Sequence, residues 1–215
     1  MPIERPEERL HGPVLRLALG DDLERGERHL RRERGVAVHL DGARLLHAAT
    51  AQGVAPAAIA SRFDTVTLCL SKGLGCPLGA LLAGSEGLVE RAWREKHLFG
   101  GAMRQAGIVA AAGVYALDHN VERLGEDHAR ARELAEGLTA AGVPVDLDRV
   151  ETNFVQIDLE PLGLDRGATL DLLKERGVGL SATIHPTVIR AVTHLDVGPA
   201  DIERATELVA STLAG

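Results

Sequence analysis

Hydrophobic positions along this chain switch between short continuous runs and a helical period, and the switches mark its elements. Val36–Leu40 is an apolar run that reads as a strand, and Val66–Leu70 is a second one, rich in β-branched residues. Between them Leu45–Ser61 carries a helical pattern that breaks around Gly53 and Pro56. Strand, helix and strand in so short a span predict a βαβ unit, two parallel strands joined by a right-handed crossover. Gly79–Leu82 predicts another strand, and Ser71-Lys72-Gly73-Leu74-Gly75 turns into it. A charged helix follows over Glu86–Leu98, with Gly100-Gly101 ending it. Arg104–Asp118 is alanine-rich and almost uncharged, which predicts a buried helix. His119-Asn120 then breaks the pattern, with Asn120 read as an N-cap. Val121, Leu124, Leu134, Ala135 and Leu138 form one apolar stripe on a long polar helix ending at Gly142.

The pattern changes near Gly142. Val143–Leu147 and Phe154–Leu159 alternate as strands, Thr169–Arg176 reads as a helix stopped by Gly177, and Val178–Leu180 and Val188–Thr193 read as further strands. Pro199–Leu213 predicts a terminal helix with Pro199 in its first turn and Ile202, Ala205, Leu208 and Val209 inward. The expected organisation is an atypical segment over residues 1–35, an α/β unit over 36–142 and a small α+β unit over 143–215. Within the first segment, Asp21–Arg34 has the charge density of an exposed helix, with only Leu23 and Leu30 as strong apolar anchors.

Composition narrows the chemistry. The net charge of −7 argues against a nucleic-acid surface or an anionic membrane as partner. No apolar run approaches membrane-spanning length. Aromatic residues make up only 2% of the chain, so the core must be built from aliphatic side chains. Cys69 and Cys76 flank Lys72 and read as reduced packing thiols of a cytoplasmic protein. His39, His185 and His194 read as ordinary histidines outside the chemistry, and no spacing of His, Cys or Asp reads as a metal site.

There are three lysines (Lys72, Lys96 and Lys174) against 21 arginines, so a chemical role for lysine has few candidates. Lys72 falls between two strands expected to be buried, on a turn whose glycines let a planar ligand come close. A lysine partly desolvated in such a place has a lowered pKa, which suits Schiff-base chemistry. Asp41 and Lys72 each lie at the C-terminal end of a strand of one βαβ unit, the edge at which open α/β sheets bind ligands. An Asp and a Lys at one strand edge fit a structural ion pair. They also fit pyridoxal phosphate, held by the lysine and kept protonated at its ring nitrogen by the carboxylate.

Longer motifs favour the second reading. His39-Leu40-Asp41-Gly42-Ala43-Arg44, Leu70-Ser71-Lys72-Gly73-Leu74-Gly75-Cys76-Pro77-Leu78-Gly79 and Gly100-Gly101-Ala102-Met103-Arg104-Gln105-Ala106-Gly107 closely resemble the low-specificity L-threonine aldolase family. Asn120-Val121-Glu122-Arg123-Leu124 and Ile189-Arg190-Ala191-Val192-Thr193-His194-Leu195-Asp196 extend the match. The resemblance implies the C-terminal part of a fold-type I pyridoxal phosphate enzyme, with a mostly parallel sheet and a small α+β domain behind it. It implies retro-aldol cleavage of L-threonine and related β-hydroxy-α-amino acids to glycine and an aldehyde, in a homo-oligomer (dimer or tetramer).

By motif, Lys72 resembles the Schiff-base lysine and Asp41 the partner of the pyridine nitrogen. Arg44 and Arg190 resemble the arginines that grip the substrate carboxylate, and Ser71 and Arg104 resemble cofactor or interface contacts. Other fold-type I chemistries, β-elimination or transamination, remain open at this point, as does an inactive remnant. Family members are longer at the front, where the phosphate-binding turn, a ring-stacking side chain and a histidine for the β-hydroxyl proton would lie. Residues 1–34 do not resemble that region and read as a truncated or misread start. Exposed apolar faces and an open strand edge are therefore expected.

Overall fold

The computed structural model of the chain describes residues 35–213. The helix expected over Asp21–Arg34 lies outside them. Strand β1 (His39–Gly42) leads into helix α1 (Leu45–Gln52), short helix α2 (Pro56–Ala60) and strand β2 (Thr65–Cys69). β1 starts later than the apolar run suggested. Val38 is spent instead on a tie to the residue before β2, its N–H donating to Asp64 Oδ2 at 2.7 Å. The interrupted helix resolves into two because Gly53 adopts φ +63° and closes α1, after which Pro56 opens α2.

β1 and β2 pair in parallel, with Asp41 opposite Thr67. Strand β3 (Ala80–Gly84) pairs antiparallel with β2, so the sheet order is β1-β2-β3. Only a turn joins β2 to β3, too short for the crossover that a parallel pair needs. The expected burial of the second strand is corrected here, since every residue of β3 is exposed.

Helix α3 (Glu86–Leu98) buries nothing among the described residues. Helix α4 (Gly107–His119) also departs from expectation. Only Gly113 and Ala116 are buried, while Ile108, Val114 and Tyr115 are more than half exposed. One side of α4 packs on the Lys72 turn, with Gly113 against Leu70. Val109 and Ala112 are half-buried beside that turn, while Ile108, Val114, Tyr115 and Leu117 stay exposed among the described residues. Asn120 is the C-cap residue of α4 rather than an N-cap, and its Nδ2 donates to the carbonyl of Leu74 at 2.8 Å.

Helix α5 (Leu124–Ala140) joins the two halves. Leu124 at its first position packs with Leu46, Leu70, Leu74 and Ala116. Further along, Ala131, Leu134, Ala135 and Leu138 enter a second core. That core belongs to the antiparallel sheet β4 (Phe154–Asp158), β6 (Val188–Val192) and β5 (Ser181–Ala182), in that spatial order. Helices α6 (Arg166–Glu175) and α7 (Pro199–Leu213) complete it through Leu173, Ile202 and Val209.

Two predicted strands are absent. Val143–Leu147 instead ends α5, with the Val143 N–H on the Leu138 carbonyl (3.0 Å), and then turns through a short 3-10 helix at Leu147–Arg149. Val178 likewise caps α6 through Leu173 (2.8 Å), so pairing with β6 begins only at Ser181. In both places a buried valine serves a helix terminus rather than a ladder.

Candidate active site

The turn after β2 is held from three sides. Gly75 N–H donates to the Lys72 carbonyl at 2.8 Å and Cys76 N–H to the Leu70 carbonyl at 3.1 Å, with Gly75 at φ +72°, where a side chain would be strained. Asn120 grips Leu74 from α4, and beneath Gly73 lies the ring of His47, which any side chain at Gly73 would overlap. Lys72 therefore has a fixed backbone. Its side chain is exposed, and it makes no hydrogen bond or ion pair among the described residues. The expected desolvation of this lysine is corrected: the strands beside it, β3 above all, do not enclose it.

Arg44 precedes α1 and Arg190 lies on β6, yet both reach one ring. The guanidinium carbon of Arg44 is 3.9 Å from the centroid of Phe154, and that of Arg190 is 4.8 Å from it. The antiparallel register places Arg190 opposite Gln156, two residues along β4 from Phe154, so all three share a face. Arg190 Nε donates to Ser181 Oγ at 3.3 Å. Arg44 Nε is buried and has no hydrogen-bond partner. Burial, and then the like charge of Arg190, push the Arg44 pKa below its ordinary value, with Cys69 and Asp41 opposing.

A cavity of about 350 Å³ opens beside this pair, lined by Arg44, Ser71, Lys72, Asn153 and His194 among others. Arg190 lines a neighbouring cleft of about 860 Å³ together with Asp158 and His185. Asp41 is exposed on β1, its Oδ1 accepting the Ala43 N–H at 3.2 Å. Ser71 lines the cavity, its hydroxyl 3.4 Å from Cys69 Sγ. Arg104 stands apart. It is exposed in the turn before α4 and lines neither cavity. Both cysteines are free thiols, and burial raises the pKa of Cys76. Among the described residues no group of His, Cys, Asp and Glu is placed to hold a metal, and no helix is long and apolar enough to cross a membrane.

Three contributors escaped the sequence reading. Phe154 carries both arginines, and its signal was rarity, as one of three phenylalanines in the chain. Asn153 is buried just before β4, with its Nδ2 on the Thr193 carbonyl at 2.8 Å. His194, expected outside the chemistry, lines the cavity, because the chain leaving β6 carries it opposite the Lys72 turn. Polar residues at strand ends leave no periodic trace, so only tertiary structure exposes them.

The residues present suit a pyridoxal-type cofactor at one end. Lys72 offers an unpaired amine at the cavity, Asp41 a carboxylate at the same sheet edge, and Arg44 a buried donor that lacks an acceptor.

Comparison with known proteins agrees with this geometry. The sequence profile of the family described as beta-eliminating lyase matches residues 26–160. The chain is 45% identical over 167 residues to the low specificity L-threonine aldolase of Escherichia coli K12, covering 77% of this chain and 48% of that protein. It is 38% identical over 170 residues to low-specificity L-threonine aldolase 1 of Arabidopsis thaliana, covering 78% and 47%. A crystal structure of a putative L-allo-threonine aldolase from Listeria monocytogenes superposes with a TM-score of 0.67 at 25% identity, over 90% of this chain and 55% of that one. The chain thus spans about half the length of the curated relatives it matches.

Proposed function

We propose, for a chain that belongs to the beta-eliminating lyase family, that it carries the lysine-and-arginine wall of a pyridoxal phosphate lyase site. The reaction is retro-aldol cleavage of L-threonine and related β-hydroxy-α-amino acids to glycine and an aldehyde. One observation carries the reading: two arginines converge on Phe154 beside Lys72, and one of them keeps a buried donor without an acceptor. Two like charges this close call for an anion, and a buried orphan donor costs about 1–3 kcal/mol until it is paired. The α-carboxylate of an amino acid meets both needs, and a guanidinium fork suits it.

The roles follow from position. Lys72 supplies the amine that attaches the cofactor. Asp41 keeps a proton on the pyridine nitrogen, Ser71 gives a further cofactor contact, and Arg104, which lines neither cavity, makes its contact across a subunit interface. When bound, pyridoxal phosphate supplies an electron sink for the carbanion left at Cα. Arg44 and Arg190 orient the carboxylate so that the Cα–Cβ bond is presented to that sink. Residues 36–142 belong to the larger, cofactor-binding unit and 143–215 to the smaller one. We place the protein in the cytoplasm, where both thiols would stay reduced, and in a homo-oligomer (dimer or tetramer) whose neighbours cover the exposed apolar residues of β3, α3 and α4.

Product analysis tests the reading. L-threonine incubated with the protein and pyridoxal phosphate should yield glycine and acetaldehyde in equal amounts. With Lys72 exposed rather than enclosed, turnover by the protein should fall below the usual range of about 1–1000 per second. Ammonia and a keto acid without glycine would assign β-elimination instead.

A further inference from the structure

Beneath the Lys72 turn lies a pair of histidines that the proposed chemistry does not use. His47, on α1, is only 3% exposed, and its Nδ1 is 2.9 Å from Nε2 of His128 on α5. Its other nitrogen, Nε2, is buried against Gly73 with no hydrogen-bond partner. A side chain at Gly73 would overlap this ring, so the residue after Lys72 rests directly on His47. His128 leads on to the other wall of the site. Its neighbour Asp127 is fully buried, ion-paired to Arg123 at 2.6 Å, and accepts the Thr193 hydroxyl at its backbone carbonyl at 2.6 Å. Thr193 in turn holds Asn153, next to Phe154 and its two arginines.

We propose that His47 is a positioning residue, and that the His47–His128 hydrogen bond sets the placement of the Lys72 turn relative to the Arg44–Phe154–Arg190 wall. The inference rests on Lys72 as the cofactor-bearing amine. Its physical basis is contact on both sides: α1 presses the ring against the turn, while α5 links that ring through Thr193 and Asn153 to the start of β4, where Phe154 receives the arginines. Only one hydrogen bond joins the two imidazoles, so each ring must be neutral for one nitrogen to donate and the other to accept without a buried charge. The groups facing His47 are His128, Arg44 and Arg123, which oppose a proton on it, and Asp127, which favours one. Burial first, then His128, lowers the His47 pKa to about 4, and burial lowers that of His128 as well. The pair is therefore neutral near pH 7; acid first buries a charge in it and, once both rings are protonated, leaves no nitrogen to accept the bond.

The test uses the full chain and reads attachment rather than turnover. Pyridoxal phosphate is added, adducts are reduced with borohydride, and the Lys72 label is measured by mass mapping against Lys96 and Lys174 in the same molecule. His47→Leu should lower the Lys72 share about fivefold, the effect expected of one lost hydrogen bond. His47→Asn, which can still bond His128, should stay within about twofold of the parent. The parent's Lys72 share should also fall between pH 6.5 and pH 4 more steeply than that of His47→Asn. Equal labelling of Lys72 in all three proteins would overturn the positioning role, as would equal loss in both variants, which would mark simple damage to packing. If His47→Leu does not fold, the pH comparison between the parent and His47→Asn decides. A parent protein that does not favour Lys72 at all overturns the cofactor assignment, and this inference falls with it.

Discussion

The sheet β4-β6-β5 and the sheet β1-β2-β3 each have three strands, yet they are packed very differently. Val155, Ile157 and Ile189 of the former are 0% exposed, sealed by α5, α6 and α7. In the latter, every residue of β3 is exposed, with Leu81 at 48%, and α3 and α4 leave Phe99 at 82% and Ile108 at 79%. The first sheet has a helical layer long enough to cover its inner face, whereas the second is covered on its β1 side alone, by α1 and α2. The candidate site sits where they meet. Phe154 and Arg190 hang on the well-packed sheet, while Arg44 and the lysine turn hang on the less covered one.

Truncating a core residue should give the largest contrast between the two. Leu138→Ala removes a fully buried side chain shared by α5 and the C-terminal core and should cost about 3–5 kcal/mol in denaturant unfolding. Leu82→Ala on β3 should change stability by no more than about 0.5 kcal/mol. Comparable losses would mean that the apparent exposure of β3 is covered in solution by something else, such as a second copy of the chain.

Acid should act mainly at the join. His47 has its folded pKa lowered to about 4 against an ordinary 6.5, so the unfolded chain binds the proton more readily. Above pH 6.5 the ring is neutral in both states and costs nothing. Between pH 6.5 and 4 stability should fall, by at most about 3 kcal/mol at the low end, with His128 adding in the same direction. His47→Asn should flatten that decline. Asp158, whose carboxyl is held low first by the Thr187 hydroxyl and then by the Glu160 N–H, acts only below the ordinary carboxylate value of 3.8, outside this window.

Much of this organisation was legible in the residues. Strand, helix and strand around Asp41 and Lys72 gave the parallel β1–β2 pair, and α3 and α7 fall where the pattern puts them, whereas α5 starts at Leu124 rather than after an Asn120 cap and α6 starts at Arg166 rather than Thr169. The misses have physical causes. Val143 and Val178 look like strand residues because buried helix caps and strands both call for β-branched apolar side chains. α4 looks buried because its composition is apolar, but composition does not reveal whether the covering layer is present. The desolvated lysine failed for the same reason. Arg44 and Arg190 could be picked out by motif, whereas the Phe154 ring that joins them, and His194 and Asn153 beside it, depend on β4 and β6 being neighbours.

Whether the exposed turn of the less covered half still directs chemistry can be read from one measurement. The 215-residue chain is equilibrated with pyridoxal phosphate near pH 7, reduced with borohydride, digested and mapped across its three lysines. The account predicts that the label concentrates on Lys72, beside Arg44 and its unpaired Nε, and that Lys72→Ala removes it without raising the label on Lys96 or Lys174. An even distribution over the three, or a majority on Lys96 or Lys174, would contradict the assignment of Lys72 and with it the proposed site.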